Sequence, residues 1–320
     1  MIKKIQVNKT EIGERLDIFL QKKVGDFSRN QIQEAIKNGA ILVNGIAEKS
    51  SYKTRQDDKI SLDAKYFTVL SKPVELIDEK IALKVLFEDE YILVIDKSAG
   101  MVVHPAHGNF SGTLVNALLD YTPEIVKSRM DNSAYASTRP GIVHRLDKDT
   151  SGIIVVAKNP QSLSQLSKQL SEKQIEKNYI ALVFGDTAKS GEIKSYLGRD
   201  NNNRKKITVT NAISGKLAVT KFLKIQKYTF NSNELSLLSI TIPTGRTHQI
   251  RVQMKSIGHP IIGDQTYFTK DSKNLSDIIG LKRQFLHANK IKFSHPTNHK
   301  SMEIESELPA DLQSIIDKLM

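Results

Sequence analysis

Residues 141–158 read Gly-Ile-Val-His-Arg-Leu-Asp-Lys-Asp-Thr-Ser-Gly-Ile-Ile-Val-Val-Ala-Lys, an order of residue types that could do chemistry. A polar stretch, His144 to Gly152, stands between a strand-like lead-in and an apolar run, Ile153 to Ala157, that reads as a buried strand. Charged side chains on a loop held by a sheet are a common mounting for catalytic groups. Taken alone, the stretch also suits a surface hairpin with a charged tip. His144, Asp147 and Asp149, with His104 and His107 of His-Pro-Ala-His, could instead ligate a divalent metal in a hydrolase. No HExxH or comparable spacing accompanies them, so the metal reading is the weaker one. The chain has no cysteine, which excludes disulfide frameworks, thiolate zinc sites and a cysteine nucleophile. Neither GxGxxG nor GxxxxGK[ST] occurs, so nucleotide-cofactor readings lack support.

The elements around this loop suggest two parts dividing near residue 80. In the first, Leu16, Phe19 and Leu20 form one apolar helix stripe. Ser28 and Gln31 fit a capping box opening a second helix with Ile32 and Ile36, which Gly39 ends. Ile41 and Val43 lead into Asn44-Gly45, a hairpin signal, and Lys59 to Leu62 can supply a further strand. In the second part, strands are expected at Lys84 to Phe87, Tyr91 to Ile95, Tyr179 to Phe184, Ala218 to Lys224 and Leu235 to Ile242. Helices are expected at Leu163 to Ile175, at Thr247 to Ile257 and after Pro309. On the second of these, Ile250, Met254 and Ile257 should form the buried face, with Arg251 turned off it towards a cleft. Strands in groups favour an α+β fold over a doubly wound sheet.

The formal charge is +12, with 47 basic and 35 acidic residues in 320, and the excess is spread over both parts. Such a surplus fits a polyanionic partner, RNA or DNA, as well as plain solubility. The apolar runs are far shorter than a membrane span, and the first residues lack an apolar signal core, so a cytoplasmic protein is expected. Two polar stretches interrupt the pattern, Pro123 to Pro140 and Arg199 to Lys206.

Several motifs in order carry a family resemblance. HRLDKDTSG is similar to the signature of the RluA-type pseudouridine synthases. Residues 92–106 (ILVIDKSAGMVVHPA), 177–185 (KNYIALVFG), 244–267 (TGRTHQIRVQMKSIGHPIIGDQTY) and 283–288 (RQFLHA) resemble further motifs of that family, over about residues 84–295. Residues 13–62 resemble the S4 RNA-binding domain. Ser98, where the family usually has Pro, and Gln253, where His is common, are visible departures.

The resemblance implies an α+β catalytic domain (residues 81–320) on a mixed, largely antiparallel sheet with flanking helices. A small S4-like α/β module within residues 1–80 precedes it. It implies that uridine in structured RNA is isomerised without a cofactor or metal, with large-subunit ribosomal RNA as substrate and transfer RNA as the alternative. A non-catalytic RNA-binding factor of the same fold is the other class to separate. Asp147 is then the essential carboxylate, Arg251 the guanidinium that keeps it ionised, and Tyr179 the ring against the uracil. Arg145 fills the stack vacated by a flipped base, Leu286 lines the pocket, and His144 and Asp149 order the loop, His144 beside the substrate. Arg199, Arg204, Lys205 and Lys206 are expected along the RNA groove, and Pro123 to Pro140 is expected to order over bound RNA. In the S4-like module, Arg15, Lys22, Lys23, Ser28, Arg29 and Lys37 are expected to dock RNA through phosphates. RNA is the partner; a monomer without an obligate protein partner or membrane contact is expected.

Overall fold

A computed structural model describes residues 2–24, 27, 29–70, 77–105, 110–123, 125, 140–200, 203 and 206–320. They divide into two units, residues up to 70 and residues from 77 onward. In the amino-terminal unit, β1 (Ile2–Gln6), β2 (Ile41–Val43) and β3 (Lys59–Asp63) form an antiparallel sheet in the order β1-β3-β2. Against it lie α1 (Leu16–Val24), α2 (Arg29–Lys37) and α3 (Ala64–Leu70). The expected stripe Leu16, Phe19 and Leu20 is buried with Ile32, Ile36, Ile41, Val43, Ile60 and Leu62, each of those side chains worth about 1.5–3 kcal/mol on burial. Asn44 and Gly45 make a tight turn at φ 52° and 83°, closed by reciprocal hydrogen bonds between Val43 and Ile46. The strand that then pairs with β2 is β3, fifteen residues on, so the turn does not close a two-strand hairpin. Ser28 lies outside the described residues.

The carboxyl-terminal unit is a ten-stranded sheet. Its strands are β4 (Lys84–Glu88), β5 (Ile92–Lys97), β6 (Ser151–Ala157), β7 (Glu176–Phe184), β8 (Ser190–Arg199), β9 (Ile207–Thr210), β10 (Lys216–Phe230), β11 (Asn233–Thr241), β12 (Leu286–Ser294) and β13 (Ser301–Glu305). The order is β4-β5-β6-β12-β7-β11-β10-β8-β9, with β13 on β12. The β6–β12 pairing is parallel and the others are antiparallel, so the fold is mixed and largely antiparallel, α+β as expected. Every residue of β6 is buried, which is why its run Ile153 to Ala157 is continuously apolar and does not alternate.

The helices of this unit are α4 (Leu114–Tyr121), α5 (Pro160–Ser171), α6 (Gln249–Ser256), α7 (Lys270–Ile279) and α8 (Ala310–Leu319). α5 begins at Pro160 behind an Asn159 cap and stops short of Ile175, which instead joins the core beside β7. α6 corrects its expectation further. Residues 249–254 are all buried, whereas Ile257 is exposed, so there is no single apolar face. The polar residues of α6 are stitched to the sheet instead: Gln249 donates to Val219 O and Thr220 Oγ1, and Gln253 donates to Ser195 Oγ and Ala218 O. Gln253 also accepts from Thr220 Oγ1 at 2.6 Å, so the departure from the family's usual His is a fully bonded residue. Among the described residues no helix is long and apolar enough to cross a membrane.

Candidate active site

Asp147 sits on the loop between Ile142 and β6, and four anchors fix that loop. The buried Lys97 Nζ donates to Ser98 O, Met101 O and Lys148 O at 2.7, 2.9 and 3.1 Å. Burial pushes the pKa of that lysine down to about 7, and the nearby charges of Asp149 and Asp147 oppose the shift. Among the described residues Ser98 takes part through its carbonyl alone, which Pro would also offer. Arg283 Nη1 donates to Asp149 O, and Gln284 Nε2 to Thr150 Oγ1. The Val155 backbone N–H donates to His144 Nε2 at 3.0 Å, and burial holds that imidazole neutral with a pKa of about 3. His144 thus ties the loop to β6 through Nε2, which that N–H occupies. Among the described residues no three His, Asp or Glu side chains are grouped as a metal site; His107 lies outside them.

Gly152, at the end of the loop, has φ 117°, and a Cβ there would lie 2.3 Å from Ala288 O across the β6–β12 pairing. A side chain would push the two strands apart at the point that aims the loop.

The chain brings Arg251 to Asp147. Its Nη1 donates to Asp147 Oδ2 at 3.0 Å, while Nε and Nη2 grip Asp264 Oδ2 and Oδ1 at 2.7 and 3.0 Å. Asp264 also accepts the Thr266 and Tyr267 backbone N–H groups. Burial alone would lower the pKa of Arg251; the two carboxylates outweigh it and raise it. The guanidinium lies 5.0 Å from the centre of the Tyr267 ring. A buried bidentate pair of this kind sets the position of the third nitrogen, and thereby of Asp147. Asp147 Oδ1 has no hydrogen-bond partner among the described residues. The carboxylate stands in a cavity of about 390 Å³ lined also by Val102, Val103, His104, Arg145, Leu146, Lys148, Asp149, His248, Arg251, Thr266 and Gln284, inside the roughly 300–1,000 Å³ of small-ligand clefts.

The RNA pseudouridylate synthase profile matches residues 91–256, and the S4 domain profile matches residues 14–60. The chain belongs to the RNA pseudouridylate synthase family. A protein of Chlorobaculum parvum named as an RNA pseudouridine synthase is 40% identical, over 98% of this chain and 97% of its own. The ribosomal large subunit pseudouridine synthase D of Zymomonas mobilis is 36% identical, over 98% and 97%. The solved structure of human RNA Pseudouridylate Synthase Domain Containing 1 shares the fold (TM-score 0.57, 22% identity, 74% of this chain and 89% of that one). The enzyme is thus an isomerase acting on RNA, with an S4 domain at its amino-terminal end.

The remaining candidate residues of the synthase are placed as follows. Tyr179 is buried in β7; burial and then the charge of Asp147 raise its phenol pKa, so it stays protonated. Leu286 opens β12 opposite Ala181, on the face of β7 that carries Tyr179. Neither side chain lines the cavity. Arg145 is exposed at the cavity. Arg199 ends β8 with an exposed side chain; Arg204 and Lys205 lie outside the described residues, as does most of Pro123 to Pro140, and Lys206 precedes β9.

In the S4 unit, Arg15 and Arg29 both bond Asp17, whose side chain is fully buried; Lys22 pairs with Glu14 and Lys23 with Glu11. Burial pushes Asp17 up, but Arg15, Gln33 and Arg29 outweigh it and hold it at about 2. Lys37 is exposed in the last turn of α2.

Sequence reasoning missed Asp264, His248 and Tyr267. All three lie within the arginine-bearing motif, but an Asp after Gly reads as a turn residue, and nothing in a spacing of thirteen shows that it faces Arg251.

Proposed function

We propose that this synthase isomerises uridines of large-subunit ribosomal RNA, with Asp147 as its essential carboxylate. The observation that carries the reading is the asymmetric hold on Asp147 at the cavity: Oδ2 is bound by Arg251 at 3.0 Å, and Oδ1 has no hydrogen-bond partner among the described residues. In the reaction the N1–C1′ bond breaks, the uracil turns, and C5 bonds to C1′. C5 then loses its proton and N1 gains one. Nothing is oxidised and no group is exchanged, so side chains suffice. Asp147 acts as nucleophile or as proton acceptor at the sugar, and either role needs it ionised, which the adjoining guanidinium favours. Tyr179 is to meet the uracil ring with Leu286 beside it, which requires bound RNA to extend the cavity to β7 and β12, since neither residue lines it here; Arg145 occupies the stack that the flipped base leaves. The substrate class is supported by relatives named for the ribosomal large subunit that match nearly the whole chain at 36% identity. The S4 unit supplies phosphate contacts, with Arg15 and Arg29 held in place by Asp17.

Tritium release from C5-labelled uridine RNA tests the chemistry. Asp147→Asn should bind RNA and release nothing; turnover by that variant, with deamidation excluded by mass spectrometry, removes the assignment. Mapping pseudouridines in a deletion strain tests the substrate. Losses confined to transfer RNA would replace ribosomal RNA as the target.

A further inference from the structure

His248 precedes α6 at φ 55° and ψ 20°, a left-handed conformation that histidine tolerates at some backbone cost. Its ring is held from behind. The Tyr267 hydroxyl accepts the Ile207 backbone N–H at 2.8 Å and lies 2.8 Å from His248 Nδ1. A phenol hydroxyl that accepts from a backbone N–H still has one proton to give, and Nδ1 is the acceptor in reach. With the hydroxyl as donor, Nδ1 is the unprotonated nitrogen and Nε2 carries the ring proton. Nε2 stands 3.9 Å from Asp147 Oδ2, about 1 Å beyond a hydrogen bond. Catalytic contacts of this kind commonly tighten when substrate binds.

The groups facing the ring are Asp147 and Arg145 from the catalytic loop, Arg251 from α6, and Asp264 and Tyr267 beyond it. Burial keeps the imidazole below its ordinary pKa, against the pull of Asp147. A neutral ring donates one directed hydrogen bond without adding a second full positive charge beside a carboxylate that must react.

We propose that His248 is a positioning residue of the isomerisation: as the Nε2–H tautomer it joins Arg251 on Asp147 Oδ2 once RNA fills the cavity, and so leaves Oδ1 to react. The inference rests on the assignment of Asp147 above. Tyr267 acts through His248 by fixing the tautomer, and because it also binds Ile207, the first residue of β9, it ties that strand to the reacting carboxylate.

The test is nitrogen-15 NMR of the histidine rings in the full-length enzyme at neutral pH, with the His248 signals assigned from their loss in His248→Asn. A neutral ring protonated at Nε2 is expected, and a ring charged or protonated at Nδ1 overturns the proposal. Tyr267→Phe keeps the ring over Arg251 and removes the hydroxyl. It should yield a mixture of tautomers and lower kcat in proportion to the rings that lose the Nε2 proton, a few-fold, with KM unchanged. His248→Leu should lower kcat by ~10- to 100-fold, the worth of one hydrogen bond to a charged group, and His248→Gln, whose amide nitrogen reaches the Nε2 position, should recover part of kcat. If Tyr267→Phe folds poorly, the contrast between the Leu and Gln variants decides, because both bear the same backbone cost. Equal losses in those two variants, or an unchanged kcat in a folded Tyr267→Phe, overturn the proposal. An active Asp147→Asn would remove the parent reading instead, whatever the tautomer.

Discussion

Replacing Asp264 by Asn removes the carboxylate's charge, puts an amide nitrogen in place of one oxygen, and tests whether the buried Arg251 depends on it. Oδ1 accepts from Arg251 Nη2 at 3.0 Å and from the Thr266 and Tyr267 N–H groups at 2.8 and 2.9 Å, while Oδ2 accepts from Arg251 Nε at 2.7 Å. If the Asn carbonyl takes the Oδ1 place, its amide faces the Nε–H, donor on donor. If it flips, the amide faces three donors. Neither orientation satisfies the site, and the guanidinium keeps a single carboxylate partner in a buried setting. Breaking a buried pair in this way costs about 3–5 kcal/mol. For a unit of this size each kcal/mol lowers Tm by about 2–4 °C, so the fall should be about 6–20 °C. Arg251 should also swing from its place, and a misplacement near 1 Å at Asp147 costs about 100-fold in rate. Thermal unfolding and tritium release measure the two effects. Combining Asp264→Asn with Arg251→Met removes the stranded cation, so the double variant should lose less stability than the sum of the two single changes. A Tm within 2 °C of the parent, about 1 kcal/mol or less, with near-normal tritium release, would refute the reasoning.

Arg145→Ala should be impaired most on folded RNA and recover in part on a flexible single strand, because less unstacking energy, about a few kcal/mol, then has to be offset; equal losses on both would discard the flipping role. Deleting residues 1–62 should weaken binding to long RNA and flatten its log–log salt dependence by about 0.7–0.9 for each phosphate that the S4 unit neutralises, while short substrates still turn over. Between about pH 6.5 and 3 the unfolded chain protonates His144 and the folded protein does not, so stability should fall as pH drops through that window; chemical denaturation of His144→Asn should show a shallower acid slope. Gly152→Ala should lower both Tm and kcat, since its Cβ would meet Ala288 O at 2.3 Å; a variant as stable and active as the parent would show that the β6–β12 pairing does not aim the loop.

The parts legible in the sequence are those whose physics is local. The stripe on α1, the left-handed Gly39 at φ 72° after α2, and the continuous apolar run of β6 each leave a mark within a few residues. The contact of Arg251 with Asp147 was reachable only through the ordered motifs, since 104 positions separate them. Asp264 and Tyr267 left no mark because their meaning lies in what they face. α4 went unread because residues 114–119 are buried all round and hide the helical period. α7 offers only Leu275 and Ile279 as buried apolar residues, too thin a stripe to see. On α6 the period misled: Ile257 matched it and is exposed, whereas Gln249 and Gln253 broke it and are buried by bonds to β10 and β8.

The position of β12 has a consequence for how the enzyme comes into being. The strand lies in the middle of the sheet, between β6 and β7, yet it is made more than a hundred residues after β6. Until it emerges from the ribosome, β6 and β7 each present an open edge, and the segment that brings Arg283 and Gln284 to the catalytic loop does not exist. A growing chain therefore holds two half-sheets with unpaired strands, a state prone to misassociation, and closes them through contacts of long sequence separation, which form slowly. Activity should appear all at once and late, with the final strands. Truncation before Leu286 should yield an insoluble product and not a weakened enzyme.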